Sequence, residues 1–368
     1  MAKNFRSGLV LAHKWIGIVA ATYFCCMSLT GVSLVFRDEL EELLVKEPHI
    51  ATSKAIPAAS NFVRNVKTQY PEHTLTALIY PLVDGKPLVA YARDKEDTLT
   101  AIWMDPGSAA VLGNSAENPV LKFVQEFHIN LLAKTTGRKI NAIAGLVLVF
   151  LSLSGIVLFC RGVAYCLHTL RMKWKGSARV ISWSNHQKLG TIMLPMLLVW
   201  GVSAFSFGFH NEFEEIVNVL LPVTGVGNNK LKEVLPAIQV NSDQLLMLDS
   251  AEQLAFSLCP GQKLSRISMP GKKADVIKLW LTKTTSNNKA DATEIDLNIK
   301  TGKTIAVIRP ESRSSGDAFL ALLPRLHFGN FAGLASKTFW CIIGFTPFLM
   351  SITGMIMWWS PARKHRAN

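Results

Sequence analysis

Nine histidines lie along the 368-residue chain, and the spacing of four of them suggests a shared chemistry. His13 sits at the mouth of an apolar run, in Leu11-Ala12-His13-Lys14-Trp15-Ile16-Gly17. A shift of 173 residues carries His13-x-x-Ile16-Gly17 onto His186-x-x-Leu189-Gly190, and carries Phe36–Leu44 onto Phe209–Val217. A shift of 199 carries His128 onto His327, Gly145 onto Gly344 and Ser152–Phe159 onto Ser351–Trp358. The chain is therefore an internal repeat with one histidine in each of two places per half. Neutral imidazole ligates metals through a ring nitrogen. Two imidazoles facing one another across a pseudo-twofold axis supply the axial ligands of a six-coordinate haem iron. The pattern predicts two such centres, His13 with His186 and His128 with His327, each for a non-covalent haem b. No CxxCH or zinc-type CxxC spacing occurs, so covalent c-type attachment is excluded. His210 has Arg37 as its repeat counterpart and is a lesser candidate for a haem or substrate contact. His49, His73, His168 and His365 are expected at solvated or interfacial positions.

The elements that must carry these residues follow from the distribution of charge. Four runs hold no charged residue: Trp15–Phe36, Ile140–Cys160, Leu189–Phe209 and Thr338–Trp359. At 1.5 Å per residue each can cross a hydrocarbon core of about 30 Å. The fold class expected is an α-helical membrane protein with four transmembrane helices in two pseudo-twofold-related halves. The first run is too long for a signal-peptide core and is expected to remain. Of the net charge of +13, +12 falls on residues 1–14, 161–188 and 360–368. The positive-inside rule then places both termini and the basic loop 161–188 in the cytoplasm. The high isoelectric point is a signal of topology, and no basic face for nucleic acid is evident.

The resulting domains are the N-terminus and first helix (1–36), an outer domain carrying His128 (37–139), and the second helix (140–160). The basic loop (161–188), third helix (189–209), a second outer domain carrying His327 (210–337), fourth helix (338–359) and tail (360–368) complete the chain. Each outer segment reads as a small α+β module ending in a hairpin. In the first, a helix over Pro57–Thr68 precedes strands near Leu75–Tyr80, Pro87–Arg93 and Thr98–Met104, with a turn at Asp105-Pro106-Gly107. In the second, a helix over Ser250–Leu258 precedes strands near Ser265–Ser268, Val276–Thr282 and Glu294–Leu297, with a turn at Lys300-Thr301-Gly302. The six cysteines imply no outer disulfide framework, since only Cys259 falls in an outer segment.

Helices 1, 2 and 4 carry Ser28-Leu29-Thr30-Gly31, Ser152-Leu153-Ser154-Gly155 and Ser351-Ile352-Thr353-Gly354. Helix 3 has Gly201-Val202-Ser203-Ala204. Small residues at these places allow close helix packing or leave room for a flat ring. The tryptophans, Trp15, Trp200, Trp340, Trp358 and Trp359, are expected as interfacial anchors and lipid-facing bulk. For His128 to reach the membrane, the chain ahead of helix 2 must fold back, and Thr135-Thr136-Gly137 is the expected place. Gly329 and Gly333 offer the same after His327.

At these residues the chain resembles the PepSY-associated transmembrane proteins. The likeness rests on His13-x-x-x-Gly17, the Ser28 motif, "FHINLL" around His128, the Ser152 motif, His186-x-x-x-Gly190, "LHFGNFAG" from Leu326 and "SITGMIMWW". It covers nearly the full length, and Ala204 departs from the family's glycine. The resemblance implies PepSY-like extracytoplasmic domains and a di-haem inner-membrane reductase that frees iron from a ferric siderophore in the periplasm. His13, His186, His128 and His327 match the family's histidine positions. Some relatives carry a fused flavin domain. Here the electron donor is expected to be separate, a cytoplasmic reductase or a membrane quinol. The rival reading is a non-redox PepSY-type membrane protein that binds peptides or restrains a peptidase. A transporter is disfavoured, because no charged residue lies within the four runs.

Overall fold

In lipid, a chain segment must satisfy its backbone N–H and C=O groups internally, and an uncharged run does so as helix. The computed structural model describes all residues except 1, 45–47, 49, 51–55, 97, 117, 160–171, 224–235, 239–243, 272–274, 284–290 and 361–368. In chain order it contains α1 (Ala2–Val35), α2 (Arg37–Leu44), α3 (Ala59–Gln69), β1 (Thr74–Ile79), β2 (Leu88–Arg93), β3 (Leu99–Met104) and β4 (Val111–Ala116). Then come α4 (Pro119–Asn130), α5 (Lys134–Phe159), α6 (Ala178–Ile192), α7 (Leu194–Gly208), α8 (His210–Leu220) and α9 (Gln244–Leu258). The last elements are β5 (Lys263–Ser268), β6 (Val276–Thr282), β7 (Thr293–Asn298), β8 (Thr304–Ile308), α10 (Ser315–Phe328), α11 (Gly333–Gly344) and α12 (Thr346–Trp359). The chain divides into a helical unit, residues 1–37, 120–219 and 319–368, and a sheet unit, residues 38–119 and 220–318. The basic loop is largely outside the described residues, as are His49, His168, His365, Cys160 and Cys166.

In the helical unit, Asn4–Val35, Lys134–Phe159 and Gly333–Trp359 are long and apolar enough to cross a membrane. The pair α6–α7 makes a fourth span when counted as one, bent by 68°. The bend corrects the expected continuous third helix, and its cause is local. Pro195 has no N–H to give the carbonyl four residues back, and its ring crowds that carbonyl. Met193 becomes the junction, ending α6 and preceding α7. The fourth span, Gly333–Trp359, also has a one-residue junction, Phe345, two residues ahead of Pro347, but counts as a single span without such a bend. The unit closes through glycines. A Cβ at Gly145 would stand 2.5 Å from the Gly201 carbonyl oxygen, and one at Gly208 2.4 Å from the Ala142 Cβ, so α5 and α7 touch backbone to backbone. On the other flank Ser28 Oγ donates to the Gly344 carbonyl at 2.5 Å, joining α1 to α11.

The sheet unit holds one eight-stranded antiparallel sheet in the order β4-β3-β2-β1-β5-β6-β7-β8. Alternation fixes which face is buried: Leu88, Ala90 and Ala92 point inward from β2, and Ile295 and Leu297 from β7. This face, with Phe62 and Val66 of α3 and Leu248 and Ala251 of α9, forms the core. The two modules expected from sequence are fused through β1 and β5, centred on Leu78↔Ile267. A shift of 189 residues carries Leu78 onto Ile267, so the pseudo-twofold passes through that pair. It also carries the Thr76 bulge onto the Ser265 bulge, and the bond from Thr76 Oγ1 to the Tyr91 carbonyl onto that from Ser265 Oγ to the Trp280 carbonyl. The hairpin turns match as well. Asp105 Oδ1 accepts from the Gly107 and Ser108 amides, and Asn298 Oδ1 from the Lys300 and Thr301 amides. Because β1 and β5 share backbone hydrogen bonds, residues 74–79 and 263–268 lie on one side of any membrane the helices cross.

Candidate functional site

The inner histidines need no special backbone. His13 lies one-third of the way along α1, and His186 in the middle of α6. Their ring centroids are 6.4 Å apart with the planes at 86°. His13 Nδ1 is 2.7 Å from Ser154 Oγ on α5. His186 Nδ1 is 3.0 Å from Thr353 Oγ1 on α12 and 3.0 Å from the Met350 carbonyl oxygen.

The outer histidines depend on fold-backs. Helix α4 ends at Asn130, and Leu131, Leu132 and Lys134, the first residue of α5, take positive φ of 51°, 60° and 50°. Each such residue costs on the order of 1 kcal/mol or more, so the turn needs support. Asn141 supplies it, with Nδ2 donating to the His128 and Ile129 carbonyls at 2.7 and 2.9 Å and Oδ1 accepting from Tyr23 at 2.9 Å. The break thus falls at 131–133, ahead of the expected 135–137. Gly137 serves a different purpose: a Cβ there would fall 1.6 Å from the Asn130 carbonyl oxygen, so only glycine lets α4 lie against α5. In the second half Gly329 has φ of 69°, and Trp340 Nε1 donates to the Leu326 carbonyl at 2.6 Å. The shift of 199 carries Asn141 onto Trp340, so the clamp is part of the repeat. Trp340 is 5 % exposed and serves as this clamp, contrary to its expected place among lipid-facing anchors.

Folded back, His128 Nδ1 lies 2.9 Å from Thr30 Oγ1, and His327 Nδ1 2.6 Å from Ser203 Oγ. The two outer imidazoles are near enough to interact electrostatically. Phe207 contacts the His327 ring edge-on at 5.1 Å and stacks with Phe328 at 5.9 Å.

The hydroxyls are the residues whose role the sequence did not reveal. Thr30, Ser154, Ser203 and Thr353 occupy the third place of the four small-residue motifs, and each meets a histidine from another element. Each hydroxyl also donates to a carbonyl of its own helix: Cys26, Leu151, Val199 and Leu349. A hydroxyl has one proton, so once that proton is given to a carbonyl the oxygen can only accept from the imidazole. The Met350 carbonyl, which can only accept, places the proton of His186 on Nδ1; a hydroxyl whose proton is committed to its own helix does the same at His13, His128 and His327 and leaves the lone pair on Nε2. The next residue in each motif makes room. A Cβ at Gly31 would stand 2.9 Å from His128 Cε1, one at Gly155 3.3 Å from His13 Cε1, and one at Gly354 3.7 Å from His186 Cε1. Ala204 holds this place opposite His327.

These features fit a bis-imidazole metal centre. Two metal–imidazole bonds of about 2 Å, with the half-width of each ring, give centroids roughly 6 to 6.5 Å apart, and His13 and His186 are at 6.4 Å. Nδ1–H held by an acceptor with Nε2 free is the usual arrangement of a ligating histidine. Among the described residues, no group of three or more His, Cys, Asp or Glu gathers as a metal cage. His13 and His186 face one another as a pair, an arrangement that suits an iron whose other ligands come from a macrocycle. His210 joins neither pair: it is exposed, with Nε2 3.2 Å from Glu214 Oε1.

The model of the PepSY-associated TM region matches residues 10–360 of the chain. Among curated proteins, none matches it.

Proposed function

We propose that this chain, which belongs to the PepSY-associated TM family, is a membrane electron-transfer protein that holds two haems and reduces a ferric chelate, of the ferric-siderophore class, on the extracytoplasmic side. The observation that carries the reading is the fourfold repetition of one unit: a histidine with Nδ1 tied to a Ser or Thr hydroxyl and the ring edge seated on a small residue. His13 and His186 would hold one haem iron and His128 and His327 the other. When bound, haem supplies one-electron redox chemistry.

The chain's own residues do the rest. The hydroxyls of Thr30, Ser154, Ser203 and Thr353 hold the Nδ1 protons, fix the ring orientations and raise the basicity of Nε2. Phe207 and Phe328 pack against the His327 ring, and an apolar neighbour there favours the less charged iron state. The asymmetry of basic residues supports both termini in the cytoplasm and an inner-membrane location, and the shared β1–β5 pairing supports outer segments on one common side. Electrons would come from a separate donor, a cytoplasmic reductase or a quinol. Ferric iron binds hard oxygen donors more tightly than ferrous iron, so reduction loosens the chelate.

Haem stoichiometry of histidine variants tests the reading. His13→Ala and His128→Ala should each retain about half the haem of the parent protein, because the two centres share no ligand. Full retention of both haems in either variant refutes the ligand assignment.

A further inference from the structure

The sheet unit contains a feature that the helical unit's chemistry does not use. A cavity of about 360 Å³ opens among the end of β1, the loop that follows it, and α9. Cavities of this size hold small organic ligands. Tyr80 and Glu252 both line it, and both are buried, at 2 % and 8 % exposed. The Tyr80 hydroxyl has no hydrogen-bond partner among the described residues. Leaving a buried hydroxyl unpaired costs about 1–3 kcal/mol, so its persistence calls for a function. One carboxylate oxygen of Glu252, Oε2, accepts from the Ala59 amide at 2.8 Å.

Electrostatics give this end of the cavity a sign. Asp249 stands close by and accepts from the Ser60 amide and hydroxyl. Burial, and then Asp249, raise the proton affinity of Glu252, while burial followed by Glu252 and Asp249 pushes the Tyr80 phenol up. A cation placed there would relieve all three groups. The walls include the apolar Ile56 and Phe256, and Lys86 and Lys263 belong to the same lining together with Asp84. The cavity is not dictated by the repeat. The shift of 189 that carries the Tyr80 amide bond to Ser265 onto the Met269 amide bond to Thr76 replaces the phenol with a thioether.

We infer that this cavity is a binding site for a zwitterionic organic ligand: an alkylammonium group seated between Tyr80 Oη and Glu252 Oε1, an aliphatic stem along Ile56 and Phe256, and an anionic group toward Lys86 and Lys263. The site stands independently of the haem reading. The probe is 6-aminohexanoate, titrated calorimetrically into the full-length protein in detergent, with hexanoate as the analogue lacking the ammonium. The expected result is binding of 6-aminohexanoate at low-millimolar concentration or tighter and none of hexanoate. Glu252→Gln keeps an acceptor for the Ala59 amide but removes the charge, and should weaken binding about tenfold or more. Val83→Trp, at an exposed lining position, should abolish binding without touching the buried groups. Absence of binding by the parent protein, equal binding of hexanoate, or unchanged affinity in both variants overturns the proposal.

Discussion

Removing the Ser203 hydroxyl should damage the outer centre far more than removing the Thr353 hydroxyl damages the inner one. Ser203 is fully buried, and its hydroxyl lies 2.6 Å from His327 Nδ1. In Ser203→Ala the ring would keep a buried N–H with nothing to receive it and no path for water. That costs about 1–3 kcal/mol, or about 5- to 150-fold in the dissociation constant of the group held by Nε2. Thr353 differs because His186 Nδ1 also lies 3.0 Å from the Met350 carbonyl oxygen. Thr353→Val leaves that acceptor in place, so its effect should stay within about threefold. The assay is haem titration of the apoprotein in detergent, followed at the Soret band, with each centre isolated by a histidine-to-alanine change in the other. Equal losses for the two variants, or a Ser203→Ala affinity within threefold of the parent, would refute the claim that these hydroxyls set the imidazole tautomer.

Three further outcomes follow from the same geometry. Gly31→Ala places a Cβ 2.9 Å from His128 Cε1; the ring must shift, and haem at the outer centre should fall while the inner centre is retained, as haem stoichiometry will show. Trp340→Phe removes the donor to the Leu326 carbonyl and should lower unfolding free energy by about 1–2 kcal/mol, measured as a decrease in Tm, with a matching loss of outer haem. In the sheet unit Lys278 lies 2.7 Å from Glu294 and 2.8 Å from Asp296. One ammonium cannot fully compensate both, and burial, its largest cause, pushes Asp296 up to about 6. Because this acid binds its proton more tightly folded than unfolded, its contribution to stability is present below about pH 4 and is lost as pH rises through about 6. Asp296→Asn should flatten that part of the Tm-against-pH curve; an unchanged slope would show that the group does not titrate there.

The sequence carried the parts of this architecture that depend on composition and repetition. Charge-free runs mark the three helices long and apolar enough to cross a membrane and the bent fourth, and the 173-residue offset marks His13 and His186, whose rings lie 6.4 Å apart. What it could not carry depended on contacts between distant segments. Ser28-Leu29-Thr30-Gly31 looks like packing, because nothing local says that Thr30 will meet a ring 98 residues away. The motif's first hydroxyl, Ser28, does pack, onto the Gly344 carbonyl. The fold-back into α5 uses two leucines and a lysine at positive φ, residues without the compositional mark of a turn, while the nearby Gly137 answers a close approach instead. The joining of two modules into one sheet was likewise hidden, since β1 and β5 are separated by the entire middle of the helical unit. The kink in the third run was open to reading at Pro195.

The central claim, that paired imidazoles hold haem, is tested most directly by the visible spectrum of the purified protein in mild detergent, oxidised and then reduced with dithionite. Two low-spin b-type haems per chain should give a Soret band that shifts on reduction and sharp α and β bands. A protein expressed with adequate haem supply that shows no such bands would contradict that claim.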